Sequence, residues 1–270
     1  DPNTANPEGE TALMTAARTG RPQAVKVLVA LGANVNATEK WQGQTALMWA
    51  AAENNAAAVR LLMEVGSDAN VHSTAWTFPE YRYQTNGMAV FLLPRGGWTA
   101  LMYAARQNAK EAAAELADMK ADLNAVDAEG TTALHLAVIN VHYDLAALLL
   151  QKGADPNSQD ATGMTPLYAA VDMRAPANMM TRPNPKIADR EALDALGIVR
   201  VLLEHAANPN MALKGPIIGR HNNLLGDTSL GLGATPLARA AKANDLPVMR
   251  LLLEHGADPA QRAPRDGRSA

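Results

Sequence analysis

Cysteine is absent from all 270 residues, which excludes disulfides, thiolate metal sites and a cysteine nucleophile. A chain with no thiol to mispair suits export to a periplasm or the cell exterior, and the reading leans that way with the cytoplasm as the alternative. Aromatic residues are scarce at 4%, so thin layers of packed helices suit this composition better than one large core. A surplus of one charge is also missing. The net charge of -3 leaves no electrostatic footprint for nucleic acid or an anionic membrane. No apolar run approaches the roughly 18 residues that a membrane span requires. No serine comes with a plausible histidine and aspartate partner, and no carboxylate pair is held at a defined spacing, so catalysis is not expected.

What the chain does have is alanine, leucine and a period. The stretch Gly130 to Asn157 contains the repeating unit. Thr132 is placed to cap a helix, and Leu134, Ala137 and Val138 follow at the i, i+3, i+4 spacing of an apolar stripe. Leu145, Leu148 and Leu149 mark a second helix, Gly153 supplies the left-handed residue that ends it, and Asp155-Pro156-Asn157 opens a turn. The equivalent threonines are Thr11, Thr45, Thr99, Thr132, Thr165 and Thr235, at spacings of 34, 54, 33, 33 and 70. Leucine stands two residues after each threonine and alanine five after it, from Leu13 and Ala16 to Leu237 and Ala240. Pro166 and Pro236 occupy the first helical position, where a missing N–H costs nothing.

This pattern resembles the ankyrin repeat, whose Thr-Pro-Leu-His-x-Ala signature and period of about 33 residues it matches. The resemblance implies an all-α solenoid of about six helix-turn-helix units, starting near residues 9, 43, 97, 130, 163 and 233. With helix layers about 8–10 Å apart, six units would span on the order of 60 Å. Three insertions interrupt them, at 71–96, 174–196 and 211–231. The resemblance places the first and third in finger turns, which in the ankyrin fold share an edge with the concave face, and the second between two helices. Within the second, Ile187 to Leu196 has the composition to extend the following helix backwards. Asp1-Pro2-Asn3 reads as the tail of a preceding unit and Gly267-Arg268-Ser269 as the start of a following one, so a longer array is expected. Helix-ending glycines stand at Gly32, Gly66, Gly153 and Gly256, whereas Lys120 and Ala206 replace them in units three and five. A non-glycine residue in the left-handed region costs roughly 1 kcal/mol, so local stability should be lowest in those two units.

The first insertion gathers Trp76, Phe78, Tyr81, Tyr83 and Phe91, with Arg82, in 26 residues. Aromatics plus arginine on a loop are the material of binding hot spots; they are equally the material of a local cluster that folds a long loop onto its array. Trp49 and Tyr103 share the position four after the threonine, where Thr15, Leu136, Ala169 and Arg239 stand elsewhere. So variable a position reads as non-core, and the two rings are expected to line a groove. Trp41 and Trp98 flank the same unit, which makes units two and three the expected contact patch. The six histidines do not converge on a metal site: His135 belongs to the repeat, where Met14, Met48 and Met102 replace it, and His205 and His255 end second helices. Leu230 to Thr235 has the glycines of a phosphate loop without its Gly-Lys-Ser/Thr ending, and reads as a repeat start. The ankyrin resemblance thus implies a non-catalytic scaffold, without metal or cofactor, binding another protein through a concave face and finger loops. Packing against copies of itself or within a fixed complex is the alternative.

Overall fold

The computed structural model describes residues 1–76, 83–85, 88–90, 95–174, 191–215 and 231–261. Among them each of the six threonines opens a helix. The first helices are α1 (Ala12–Arg18), α3 (Ala46–Ala52), α5 (Ala100–Gln107), α7 (Ala133–Ile139), α9 (Pro166–Met173) and α11 (Pro236–Lys242). The second helices are α2 (Pro22–Ala30), α4 (Ala56–Glu64), α6 (Lys110–Asp118), α8 (Tyr143–Gln151), α10 (Ala195–Glu204) and α12 (Leu246–Glu254). Helices of seven to ten residues are too short to persist alone in water, so their stability comes from packing.

The chain divides into two compact units. The first comprises Asp1–Thr77, Pro94–Ala137 and Leu148–Ala154, and the second Phe78–Leu93, Val138–Ala147 and Asp155–Ala270. In the first unit α3 packs between α1 and α5, and α4 between α2 and α6. In the second, α9 packs on α10 and α11, and α12 on α10 and α11. The repeated alanines make these close approaches possible: Ala50, Ala104 and Ala170 are wholly buried beside Leu47, Leu101 and Leu167. In α8 the buried stripe is Leu145, Leu149 and Leu150, with Leu148 only half-buried.

Local chemistry explains why the threonine and the residue three after it recur as a pair. Each threonine hydroxyl accepts an amide N–H at the third helical position, from Met14 (3.3 Å), Met48 (3.3 Å), Met102 (3.4 Å), His135 (3.4 Å), Tyr168 (3.1 Å) or Ala238 (3.2 Å). At two of these sites the side chain there returns the contact. Buried His135 accepts the Thr132 amide through Nδ1 at 3.4 Å, and Met14 accepts the Thr11 amide through Sδ at 3.4 Å. A thioether can therefore stand where the repeat elsewhere uses an imidazole, because both present a lone pair.

Nine residues after the threonine the backbone turns left-handed between the two helices, at Gly20, Asn54, Asn108, Val141 and Asn244. Asparagine and glycine tolerate this region; Val141 is β-branched and enters it with its side chain buried. In the fifth repeat Arg174 occupies the position with φ of -84° and the second insertion follows. The expected backward extension of the next helix does not form over its described part. Asp194 accepts the Leu196 and Gly197 amides at 3.1 and 2.6 Å and caps α10, so residues 191–194 lie outside the helix.

Successive turns are joined by asparagine side chains. Asn3 donates to the Gly32 carbonyl at 3.0 Å and accepts the Asn34 amide at 2.7 Å. Asn36 does the same with Gly66 and Asp68, Asn157 with Ala206 and Asn208, and Asn210 with Gly256 and Asp258. Each link satisfies a carbonyl orphaned at a helix end. Lys120 and Ala206 are exposed and left-handed, with φ of 69° and 64°. Lys120→Gly and Ala206→Gly are each expected to stabilise the protein by about 1 kcal/mol, read as a higher urea midpoint; no gain would mean that the strain is relieved elsewhere.

The first insertion contributes strand structure that the helical period did not announce. β1 (Ala75–Trp76) pairs antiparallel with β4 (Arg95–Gly96), and β2 (Tyr83–Thr85) pairs antiparallel with β3 (Met88–Val90). At the base of the third insertion Leu213 and the 233–234 segment exchange backbone bonds, from the Leu213 amide to the Ala234 carbonyl at 3.0 Å and from Gly233 to Leu213 at 2.8 Å.

Candidate functional site

In repeats one, two, four and five the turn before the first helix is pinned by an acidic or amide side chain, and Ser73 and Leu213 hold the equivalent places in the other two. Asn6, Asp127 and Asp160 bond backbone to backbone with the residue four positions on, and their side chains accept further amides. In the second repeat the same bond runs from Glu39 to Gln44, five positions on. This turn is one residue longer, which accounts for the spacing of 34 between Thr11 and Thr45. Glutamate spans the wider loop: its buried carboxylate accepts the amides of Trp41 (2.5 Å), Gln42 (2.8 Å) and Gln44 (2.9 Å). The enlarged turn carries Trp41 into solvent, 72% exposed.

Beside it lies a connected set of rings. Gln44 bridges two helices: its Oε1 accepts the Trp49 indole N–H at 2.6 Å and its Nε2 donates to the Tyr103 hydroxyl at 2.8 Å. Tyr103 meets Trp98 edge to face, with ring centroids 5.3 Å apart. The Trp98 indole donates to Asp127 at 3.2 Å, and its amide donates to the Ser73 hydroxyl at 2.9 Å. The Arg18 guanidinium sits 5.3 Å from the Trp49 ring centroid and Arg106 sits 5.0 Å from that of Trp98. An open groove of about 440 Å³ adjoins this set, lined by Trp41, Trp49, Tyr103, Met48, Gln42 and Gln44 among others.

Four of the sequence-selected residues, Trp41, Trp49, Trp98 and Tyr103, are thus gathered in the first unit. Trp76 is 48% exposed on β1 and does not line the groove. Tyr83 lies on β2 opposite Val90, and Phe78, Tyr81, Arg82 and Phe91 lie outside the described residues. The position four after the threonine is not uniformly outside the core, because Leu136 and Ala169 are buried there. The residues that sequence reasoning passed over are Gln44, Glu39, Arg18, Arg106 and Asp127. One signal was available: Arg106 follows Tyr103 by three residues and so shares its helix face.

In the second unit the same helical position holds Arg239, paired with Asp172 at 2.5 Å, while Arg174 grips Asp245 through two bonds of 2.6 and 3.2 Å. Burial pushes the Asp245 carboxyl up, but the Arg174 hydrogen bond and the Val248 amide outweigh it, and the net shift is downward. Burial raises the nearby Tyr143 phenol to about 12. These are paired, packed groups and offer no open surface comparable with the groove.

Residues 1–73 and 83–160 match the family profile for ankyrin repeats in three copies, and 232–263 match a further ankyrin repeat. Among solved structures, the chain is similar to an ankyrin repeat domain from Acinetobacter baumannii AYE, at 24% identity and a TM-score of 0.62. That alignment covers 91% of this chain and 98% of the other. It is also similar to the ankyrin repeat domain of Bcl-3, a member of the IkappaB protein family, at 26% identity and a TM-score of 0.67, covering 95% of this chain and 90% of that one. No curated protein matches it.

Proposed function

Because the chain belongs to the ankyrin-repeat family, whose repeats generally mediate protein–protein interaction, we propose that it is a non-catalytic scaffold that captures a partner protein on the aromatic groove of its first unit. The observation that carries this reading is the contrast between Trp41, 72% exposed at the groove, and the neighbouring rings, each fixed by hydrogen bonds. Half-buried Trp49 and Tyr103 are held rigid through Gln44, so a partner meets a preordered surface and little entropy is lost on binding. A bare indole on a rigid base is the usual composition of a hot spot.

A photo-crosslinking side chain at position 41 tests this, with the exposed position 26 on α2 as control. One partner species is expected from 41 and not from 26. Cross-links to a second copy of the chain would move the assignment to self-association, and equal or absent labelling at 41 would remove the groove from consideration. Trp41→Ala is expected to weaken capture about tenfold while shifting unfolding stability by less than about 0.5 kcal/mol.

A further inference from the structure

We propose that the groove receives an extended segment of the partner bearing arginine or lysine, with one cation seated on the open face of Trp41. This inference rests on the interaction reading above and names the chemistry of the partner. It starts from the tryptophans of the first unit. Trp49 is covered by Arg18 and Trp98 by Arg106, so the chain itself shows how these indole faces are satisfied. Trp41 has no guanidinium or ring partner among the described residues and is 72% exposed. Tryptophan offers the strongest side-chain π face to a cation.

The charges around the groove point the same way. Its lining holds Glu8, Glu10, Glu39 and Glu53 against Arg18 alone. Arg18 is met by Glu53 at 4.0 Å. The Glu39 carboxylate is occupied by three backbone amides. Among the described residues the Glu10 carboxylate accepts a bond only from the neutral Asn6 side chain, at 3.2 Å, and the exposed Glu8 carboxylate makes no ion pair. Lys40, whose ammonium donates to the Pro7 carbonyl at 3.1 Å, keeps its charge there, so four carboxylates stand against two cations around the groove. An incoming cation therefore finds a groove with an excess of carboxylates and a bare indole, whereas an incoming anion finds net repulsion. Trp49 and Ala52 supply apolar contact, and the Gln42 side-chain Nε2, which makes no hydrogen bond among the described residues, can donate to a main-chain carbonyl. Arginine should be preferred to lysine, since a planar, weakly hydrated guanidinium stacks on a ring at lower desolvation cost.

The probes are two short synthetic peptides of glycine and serine, one with spaced arginines and one with glutamates in their place. Binding is followed by NMR at the tryptophan indole N–H signals of the full chain. The arginine peptide should shift the Trp41 signal and leave that of Trp76, which does not line the groove, unmoved; the glutamate peptide should shift neither. Trp41→Ala should weaken arginine-peptide binding about fivefold, and Glu8→Gln with Glu10→Gln should weaken it and flatten its salt dependence. Undiminished binding to Trp41→Ala, equal response to the glutamate peptide, joint movement of Trp41 and Trp76, or no shift at all would each overturn the proposal. If position 41 cross-links a partner whose contacting segment lacks cations, the charge inference fails and the interaction reading stands. If no partner cross-links there, the interaction reading fails whatever the peptides do.

Discussion

Gly96→Ala is expected to lower the stability of the first unit by about 3 kcal/mol, the sum of backbone strain and a clash that cannot relax. Gly96 has φ of +88°, where a side chain costs about 1 kcal/mol. An added Cβ would lie 2.1 Å from the Thr74 carbonyl oxygen. That oxygen is backbone and is held in place, because it accepts the Gly97 amide at 3.2 Å and the neighbouring Ala75 pairs with Gly96 across β1 and β4. The base of the first insertion has to open. Ser73 and Trp98, which exchange two bonds of 2.9 Å just beyond it, would shift with it. Urea unfolding checks the magnitude, and tryptophan fluorescence should report the displaced indole. Gly66→Ala is the control: its φ is +92°, yet nothing lies within 4 Å of the added Cβ. The difference between the two variants isolates the clash, and equal losses would show that Thr74 gives way.

Arg174→Ala is expected to destabilise the second unit by about 2 kcal/mol, less than for one partner of a fully buried pair because both residues are only partly buried. The Asp245 side chain is only 11% exposed, so the carboxylate left behind has little water to turn to. It also accepts the Val248 amide at 3.3 Å and thereby caps α12. Losing Arg174 should therefore be felt as faster amide exchange along α12, while amides of α4 keep their protection. The pH dependence carries a defined sign. The folded carboxyl titrates below its unfolded value, so its contribution is complete above about pH 4 and fades as the pH falls through the lower, folded value. Arg174→Ala should shrink this acid-dependent loss. An unchanged acid profile in the variant would mean that the pair is not the cause.

The repeat was legible because its signals are local. A threonine cap, a leucine two residues on and an alanine five on act within one or two helical turns, and the left-handed residues at Lys120 and Ala206 could be placed by aligning them with glycines. The insertions were legible only as interruptions. Alternation in Tyr83–Thr85 and Met88–Val90 is too short to announce a hairpin against so strong a helical period. Likewise Asp194 ended the backward growth of α10 through a cap that apolar composition does not reveal. The spacing of 34 did contain the clue to Trp41, since the surplus residue lies in the turn that Glu39 closes.

The sequence by itself therefore determined the architecture of each rung and the neighbourhood in which the tryptophans would be found, because caps and apolar stripes are decided by residues three to five apart. Only the tertiary structure decided which indole faces are already taken. The groups that cover or tether them come from far along the chain: Arg18 lies over Trp49, Gln44 bonds Tyr103 at a separation of 59, and Asp127 bonds Trp98 at 29. No local rule relates such pairs. Stacking of successive rungs brings them together, and it is the same stacking that leaves Trp41 bare beside Glu8 and Glu10.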